Sequence, residues 1–265
     1  MFRIFLLIIS VLAFTAHADY PTSFSNAKSK AEKKVYFDRD TTFYCGCDYV
    51  FDDTEDRDSD GNTHETMIYP EACGYEPRNP ITKSGKANAR VSRIEWEHVV
   101  PAHVVGGHLD EWKNKENYPQ CQKNSGKYIS GRDCAYKLNV AFKKAHDDMH
   151  NLVPAVGELN GDRSNYAFAV IKGEQRSYGQ CDFEIDFEED VAEPPDSVKG
   201  NIARIYFYMI QAHGAQIPSE ELTMYLYWDK LDLVDDWECL RNKRIHQEQG
   251  QGNHFVSQQC ATRAD

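Results

Sequence analysis

The sequence predicts a helix-rich α+β domain stapled by disulfides, and three observations carry that reading. Apolar residues recur at helical spacing through several stretches, short aromatic and β-branched runs alternate in others, and eight cysteines follow an N-terminal leader pattern. With 12% aromatic and 41% hydrophobic residues, the chain can bury a core in spite of a formal charge of −12. No fixed-period repeat or low-complexity linker divides it, so residues 19–265 read as one domain.

Residues 1–18 read as a secretory signal peptide: Arg3, an apolar run from Ile4 to Phe14, and the small-x-small sequence Ala16-His17-Ala18. That run is too short to cross a bilayer, so no membrane partner is expected and the mature chain is placed in the periplasm or outside the cell. Residues 19–36 look helical through Ala27, Ala31 and Val35, and Thr41 to Cys45 look like a short strand. An acidic, turn-rich insert follows at 51–66. It contains Asp56-x-Asp58-x-Asp60-Gly61, which opens like a Ca²⁺ loop but has Met67 where a twelfth-position glutamate belongs. Arg90 to Val100 read as strand, with Ile94 and Trp96 alternating against Arg93 and Glu95 until Pro101 stops the ladder. Ala141, Ala145, Met149 and Leu152 share one helical face, and Val198–His213 and Glu220–Arg244 read as further helices.

The cysteines behind a leader predict up to four disulfides, because only Cys45-Gly46-Cys47 approaches a metal-thiolate spacing. Short separations favour Cys121 with Cys134 and Cys239 with Cys260; the other pairings stay open. Charge is uneven as well. Arg78 to Lys144 carries 13 Lys and Arg against 6 Asp and Glu, while Cys181 to Asp196 carries 8 acids and no base. A basic segment beside an acidic one fits a polyanion-binding face with a solvated back, and equally fits ordinary surface fluctuation.

Chemistry concentrates in two clusters. Arg93-Ile94-Glu95-Trp96-Glu97-His98 offers two carboxylates and a histidine at a strand end. In a regular strand Glu95 and Glu97 share a face and His98 takes the other, so one site needs the strand to bend or stop there. Such a set supplies a hard oxygen for Mg²⁺ and a base near neutral pH, although a half-buried strand with exposed carboxylates fits the same pattern. The second cluster runs from His146 through His150 and Asn151 to Pro154, then Asn160 to Asn165. His146 and His150 share a helix face, as zinc-binding pairs do, but the glutamate of H-E-x-x-H is missing.

Together these clusters resemble the bacterial endonuclease I family, periplasmic and secreted nucleases of the ββα-metal, or His-Me finger, class. Cys73-Gly74-Tyr75-Glu76-Pro77-Arg78, Glu95 to Ala102, Gly131-Arg132-Asp133-Cys134, His150-Asn151-Leu152-x-Pro154, Asn160-Gly161-Asp162-Arg163, Pro194 to Arg204 and Trp237 to Ile245 all take part, in order. The resemblance implies a ββα finger holding one Mg²⁺ on Glu97 and Asn151, with His98 as general base, Arg132 on the phosphate and Glu95 orienting base or metal waters. It also implies cleavage of DNA and RNA through backbone contacts, with little sequence preference and 5′-phosphate products. The chain is expected to act as a monomer. Ca²⁺ at the acidic insert, a non-catalytic polyanion-binding module and a zinc hydrolase using His146 and His150 are the remaining readings.

Overall fold

The computed structural model describes residues 19–52, 65–173 and 175–263. The leader and the Asp56-Asp58-Asp60 loop lie outside the described residues.

The chain opens with helix α1 (Phe24–Lys30), capped by Ser23, whose hydroxyl accepts from the Asn26 amide. A π-helical turn, Ala31–Val35, continues it and buries Ala27, Ala31 and Val35 on one stripe, as the four-residue spacing predicts. Thr41 to Cys45 form a turn rather than a strand. Gly46 adopts φ +64° and the Thr42 side chain accepts from the Cys47 amide, so the chain reverses before it can extend. The extended pair comes next, β1 (Asp48–Asp52) against β2 (Glu65–Tyr69). After the 3₁₀ turn Ala89–Val91 comes β3 (Ile94–His98), shorter than the Arg90–Val100 strand expected, then α2 (Ala102–Gly106) and α3 (Asp110–Lys113). Helices α4 (Gly131–Leu138) and α5 (Val140–His146) follow, capped by Ser130 and Asn139.

The helix predicted through Ala141 and Leu152 ends at His146 instead. Asp148 accepts from the His150 amide at 2.9 Å, and this local bond competes with the next helical turn. A 3₁₀ turn at Met149–Asn151 leads directly into β4 (Leu152–Val156). Strands β3 and β4 pair antiparallel, His98 opposite Leu152 and Ile94 opposite Val156, and α6 (Gly157–Arg163) leaves the end of β4 at once. These three elements form the expected strand-strand-helix finger. Beyond it lie β5 (Ala167–Phe168), β6 (Glu184–Asp186) and β7 (Val191–Glu193), which form one small mixed sheet.

Helix α7 (Asp196–His213) runs through the core with Ile202, Ile205, Tyr206 and Met209 buried, as its stripe predicts. The expected helix from Glu220 to Arg244 is two, α8 (Ser219–Leu231) and α9 (Asp236–Gln249), because Asp235 caps a new start by accepting from the Glu238 amide. Gly200 lets α7 approach the Asp232 carbonyl in that break, where a Cβ would collide with it. Helix α10 (His254–Arg263) closes the chain.

All eight cysteines are bridged. Cys121–Cys134 and Cys239–Cys260 pair as their spacing suggested, and Cys45–Cys181 and Cys47–Cys73 complete the set. Asp148, fully buried, receives hydrogen bonds from the Tyr20 and Tyr208 hydroxyls, His213 and Gln249, and so joins the N-terminus, α7 and α9 to the turn before β4.

Two expectations about stability follow from this core. The Cys45–Cys181 bridge spans 136 residues against 13 for Cys121–Cys134, so it restricts the unfolded chain more. Serine replacement of both partners should cost the long bridge about 5 kcal/mol and the short one about 3 kcal/mol, read by denaturant unfolding of each pair variant. Burial also pushes the His150 ring down to about 4. Below the usual histidine value the unfolded chain binds the extra proton and the folded chain refuses it, so stability rises with pH across this window. Between roughly pH 6.5 and 4 this histidine alone should remove about 1.4 kcal/mol per pH unit on acidification. An unchanged melting temperature in that range would contradict its burial in the neutral form.

Candidate active site

A cleft of about 1050 Å³ opens over the finger. Its floor is β3, which contributes Glu95, Trp96, Glu97 and His98; α6 contributes Asn160 and Gly161, with Ser164 just beyond it, α4 contributes Arg132, and α1 forms a wall with Phe24 and Lys28. Consecutive residues Glu97 and His98 reach one cavity because β3 stops at His98. Arg163, buried without exposure, holds that end: Nη1 donates to Glu97 Oε1 at 2.7 Å and to the His98 carbonyl at 3.0 Å, and Nη2 donates to the Val99 carbonyl at 2.8 Å.

Asn151 serves the same turn. Its Oδ1 accepts from the Val100 amide at 2.7 Å, its Nδ2 donates to the Val100 carbonyl at 2.9 Å, and it is 1% exposed. Both ends of its amide are thus engaged with Val100, and it is not among the residues that line the cleft. The amide that the finger helix presents to the cleft is Asn160. The sequence carries the helical face through Leu152 and assigns no element to residues 153–163, so it does not single out Asn160, which the strand Leu152–Val156 and the helix Gly157–Arg163 bring to the cleft.

Glu95 is saturated. Arg90 donates to it twice, from Nε at 2.9 Å and Nη2 at 2.5 Å, and Asn160 Nδ2 donates to Oε2 at 2.8 Å. A carboxylate so engaged is a good guide: by holding Nδ2 it leaves Asn160 Oδ1 as the end of the amide without a partner among the described residues. Arg163 takes Glu97 Oε1, and the Tyr44 hydroxyl also interacts with this carboxylate. Burial pushes Glu97 upward and Arg163 opposes the shift. One carboxylate oxygen and one amide oxygen on neighbouring elements are hard donors suited to Mg²⁺. Among the described residues no three His, Cys, Asp or Glu side chains converge, so such an ion would keep most of its coordination sphere for water and phosphate.

His98 Nε2 lies 2.8 Å from the His146 carbonyl. A carbonyl only accepts, so Nε2 carries the proton and Nδ1 keeps its lone pair. Burial drives the ring well below the usual histidine range, and His146 and Arg132 push the same way. The Phe24 ring stacks on it at 5.1 Å between centroids. Arg132 donates from Nε and Nη2 to His146 Nε2 at 3.2 and 2.7 Å, which leaves Nη1 without a partner among the described residues. His146 and His150 point to separate partners, Arg132 and the Gln251 carbonyl, so they do not form the zinc pair that their spacing allowed. Of the basic stretch, Arg90, Arg93 and Arg132 reach the cleft, joined by Lys28 and Lys33 from the N-terminal helix.

The family model described as Endonuclease I matches residues 23–260. The chain is 38% identical over 248 residues to an extracellular deoxyribonuclease of Aeromonas hydrophila, covering 92% of both chains. It is 38% identical over 230 residues to a periplasmic deoxyribonuclease of the same organism, covering 86% of this chain and 82% of that one. It is 34% identical over 227 residues to Endonuclease-1 of Buchnera aphidicola, covering 86% and 78%.

The second layer of the site is testable without turnover. Glu95→Ala frees the Asn160 amide, and Gly161→Ala drives a Cβ into the Arg90 guanidinium that fixes Glu95. If Glu97 and Asn160 hold a divalent cation, each variant should bind Mg²⁺ about 10- to 100-fold more weakly by calorimetry while remaining folded. Unaltered affinity in both would separate Glu95 from the cation.

Proposed function

The chain belongs to the endonuclease I family, and from that premise we propose that it is a secreted or periplasmic, Mg²⁺-dependent endonuclease without sequence preference. Phosphodiester hydrolysis is the activity of the site, DNA is the principal substrate, and contacts confined to phosphates admit RNA as well. No described helix is long and apolar enough to cross a membrane.

The observation that carries the reading is the bond from His98 Nε2 to the His146 carbonyl beside Glu97. It leaves Nδ1 as a bare acceptor on a ring whose burial keeps it neutral, which is what a general base requires before it meets water. His98 takes a proton from the attacking water, the water oxygen bonds to phosphorus, and the bond to the 3′ oxygen breaks, so the product keeps a 5′-phosphate. Arg132 Nη1 faces the charge that grows on the phosphate oxygens. Glu97 and Asn160 would hold the Mg²⁺, with Asn160 in the place that the resemblance gave to Asn151. The bound ion supplies positive charge to the scissile phosphate and the departing oxygen. Glu95 acts through Asn160 as a positioning residue.

Oxidised mature protein should degrade plasmid with Mg²⁺ and not with EDTA. His98→Ala should lose about 100- to 10,000-fold in rate while still binding DNA. Lys28→Ala and Lys33→Ala should each reduce the slope of log affinity against log salt by about 1. Folded wild type that retains plasmid without cutting it would replace this reading with the polyanion-binding module.

A further inference from the structure

An arginine that meets phosphate is usually steadied by a carboxylate, which also cancels part of its charge. Arg132 is steadied by an imidazole. Both Nε and Nη2 donate to His146 Nε2, so that nitrogen must carry a lone pair and the ring proton must sit on Nδ1. His146 Nδ1 is 3.1 Å from Asp147 Oδ1, and the Tyr136 hydroxyl donates to Asp147 Oδ2 at 2.9 Å. Phe24 and Tyr136 stand edge-on to the His146 ring, each 4.9 Å away between centroids, and block other orientations.

We propose that His146 is a positioning residue for Arg132, held by Asp147 in the tautomer with its proton on Nδ1, so that a neutral acceptor aims the guanidinium with no carboxylate bonded to it. The inference rests on the reading of Arg132 as the phosphate ligand, and it gives the His146 ring a task separate from that of its carbonyl. The carbonyl persists in every His146 variant, so the hold on His98 stays while the hold on Arg132 is removed.

The tautomer is read directly by long-range ¹⁵N–¹H correlation spectra of the oxidised mature protein, with no variant needed. The expected spectrum shows a protonated Nδ1 and a bare Nε2 at His146; a protonated Nε2 would overturn the proposal. Kinetics on plasmid supply the second arm. His146→Leu fills the space between Phe24 and Tyr136 without an acceptor, and should lower kcat by about 100-fold with little change in KM. His146→Gln offers an amide oxygen to Arg132 and should recover most of that loss. Equal loss in a folded Gln variant, or an undiminished kcat in the folded Leu variant, would also overturn it. Wild type that fails to cut would count against the nuclease reading, while the spectrum would still decide the tautomer.

Discussion

A buried guanidinium at the end of one strand organises this molecule. Arg163 satisfies the Glu97 carboxylate and the carbonyls of His98 and Val99 together, three acceptors that the stop of β3 would otherwise strand in the core. Charge alone does not explain the arrangement, because a buried ion pair returns little net stability over apolar packing. What it secures is a unique exit for the chain. With Asn151 gripping both backbone groups of Val100, the strand cannot run on, and two consecutive residues that a regular strand would separate reach one cleft. Removing either member would leave the other's charge or dipole uncompensated, a loss on the order of 3–5 kcal/mol for the charged pair.

The same economy appears on the far wall. His146 is the last residue of α5, and it serves the site twice, its carbonyl fixing the His98 tautomer and its ring receiving Arg132. Both functions require α5 to end where it does, which returns to Asp148. By accepting from the His150 amide, that carboxylate interrupts the helix; by accepting from Tyr20, Tyr208, His213 and Gln249, it fixes the interruption to distant parts of the chain. Catalytic geometry is thus set by a residue outside the cleft, through the place at which a helix stops.

Legibility in the sequence followed the range of the interactions. Helix α1 and helix α7 were readable because their burial repeats at helical spacing, and His98, Glu95 and Glu97 were readable because they crowd one strand end. The short-range bridges Cys121–Cys134 and Cys239–Cys260 were readable by proximity, whereas Cys45–Cys181 was not, since nothing local specifies a partner so far away. The amide at Asn151 drew attention for standing between a histidine and a proline, yet Leu152 continues the apolar spacing of α5 so well that the strand start was hidden. Proline rarely sits in a paired strand, yet Pro154 lies opposite Trp96 and offers its carbonyl to the Phe43 amide on the other edge. Arg163 stands in the motif Asn160-Gly161-Asp162-Arg163, but nothing local to that motif names the strand end it clamps.

The charge of the whole chain is best understood against this cleft. A formal charge of −12 opposes any lasting hold on a polyanion, and a nuclease that held DNA tightly would be slow to leave its product. The cations that line the cleft come from three separate segments: Lys28 and Lys33, Arg90 and Arg93, and Arg132. Of these, Arg90 and Arg93 are partly neutralised by Glu95, while Arg132 is held by a neutral ring. Among the described residues, Arg132 thus stands in the cleft without the direct carboxylate partner that Arg90 and Arg93 have. A few cations set against an acidic background favour encounter and release over retention, which agrees with the nuclease reading proposed above.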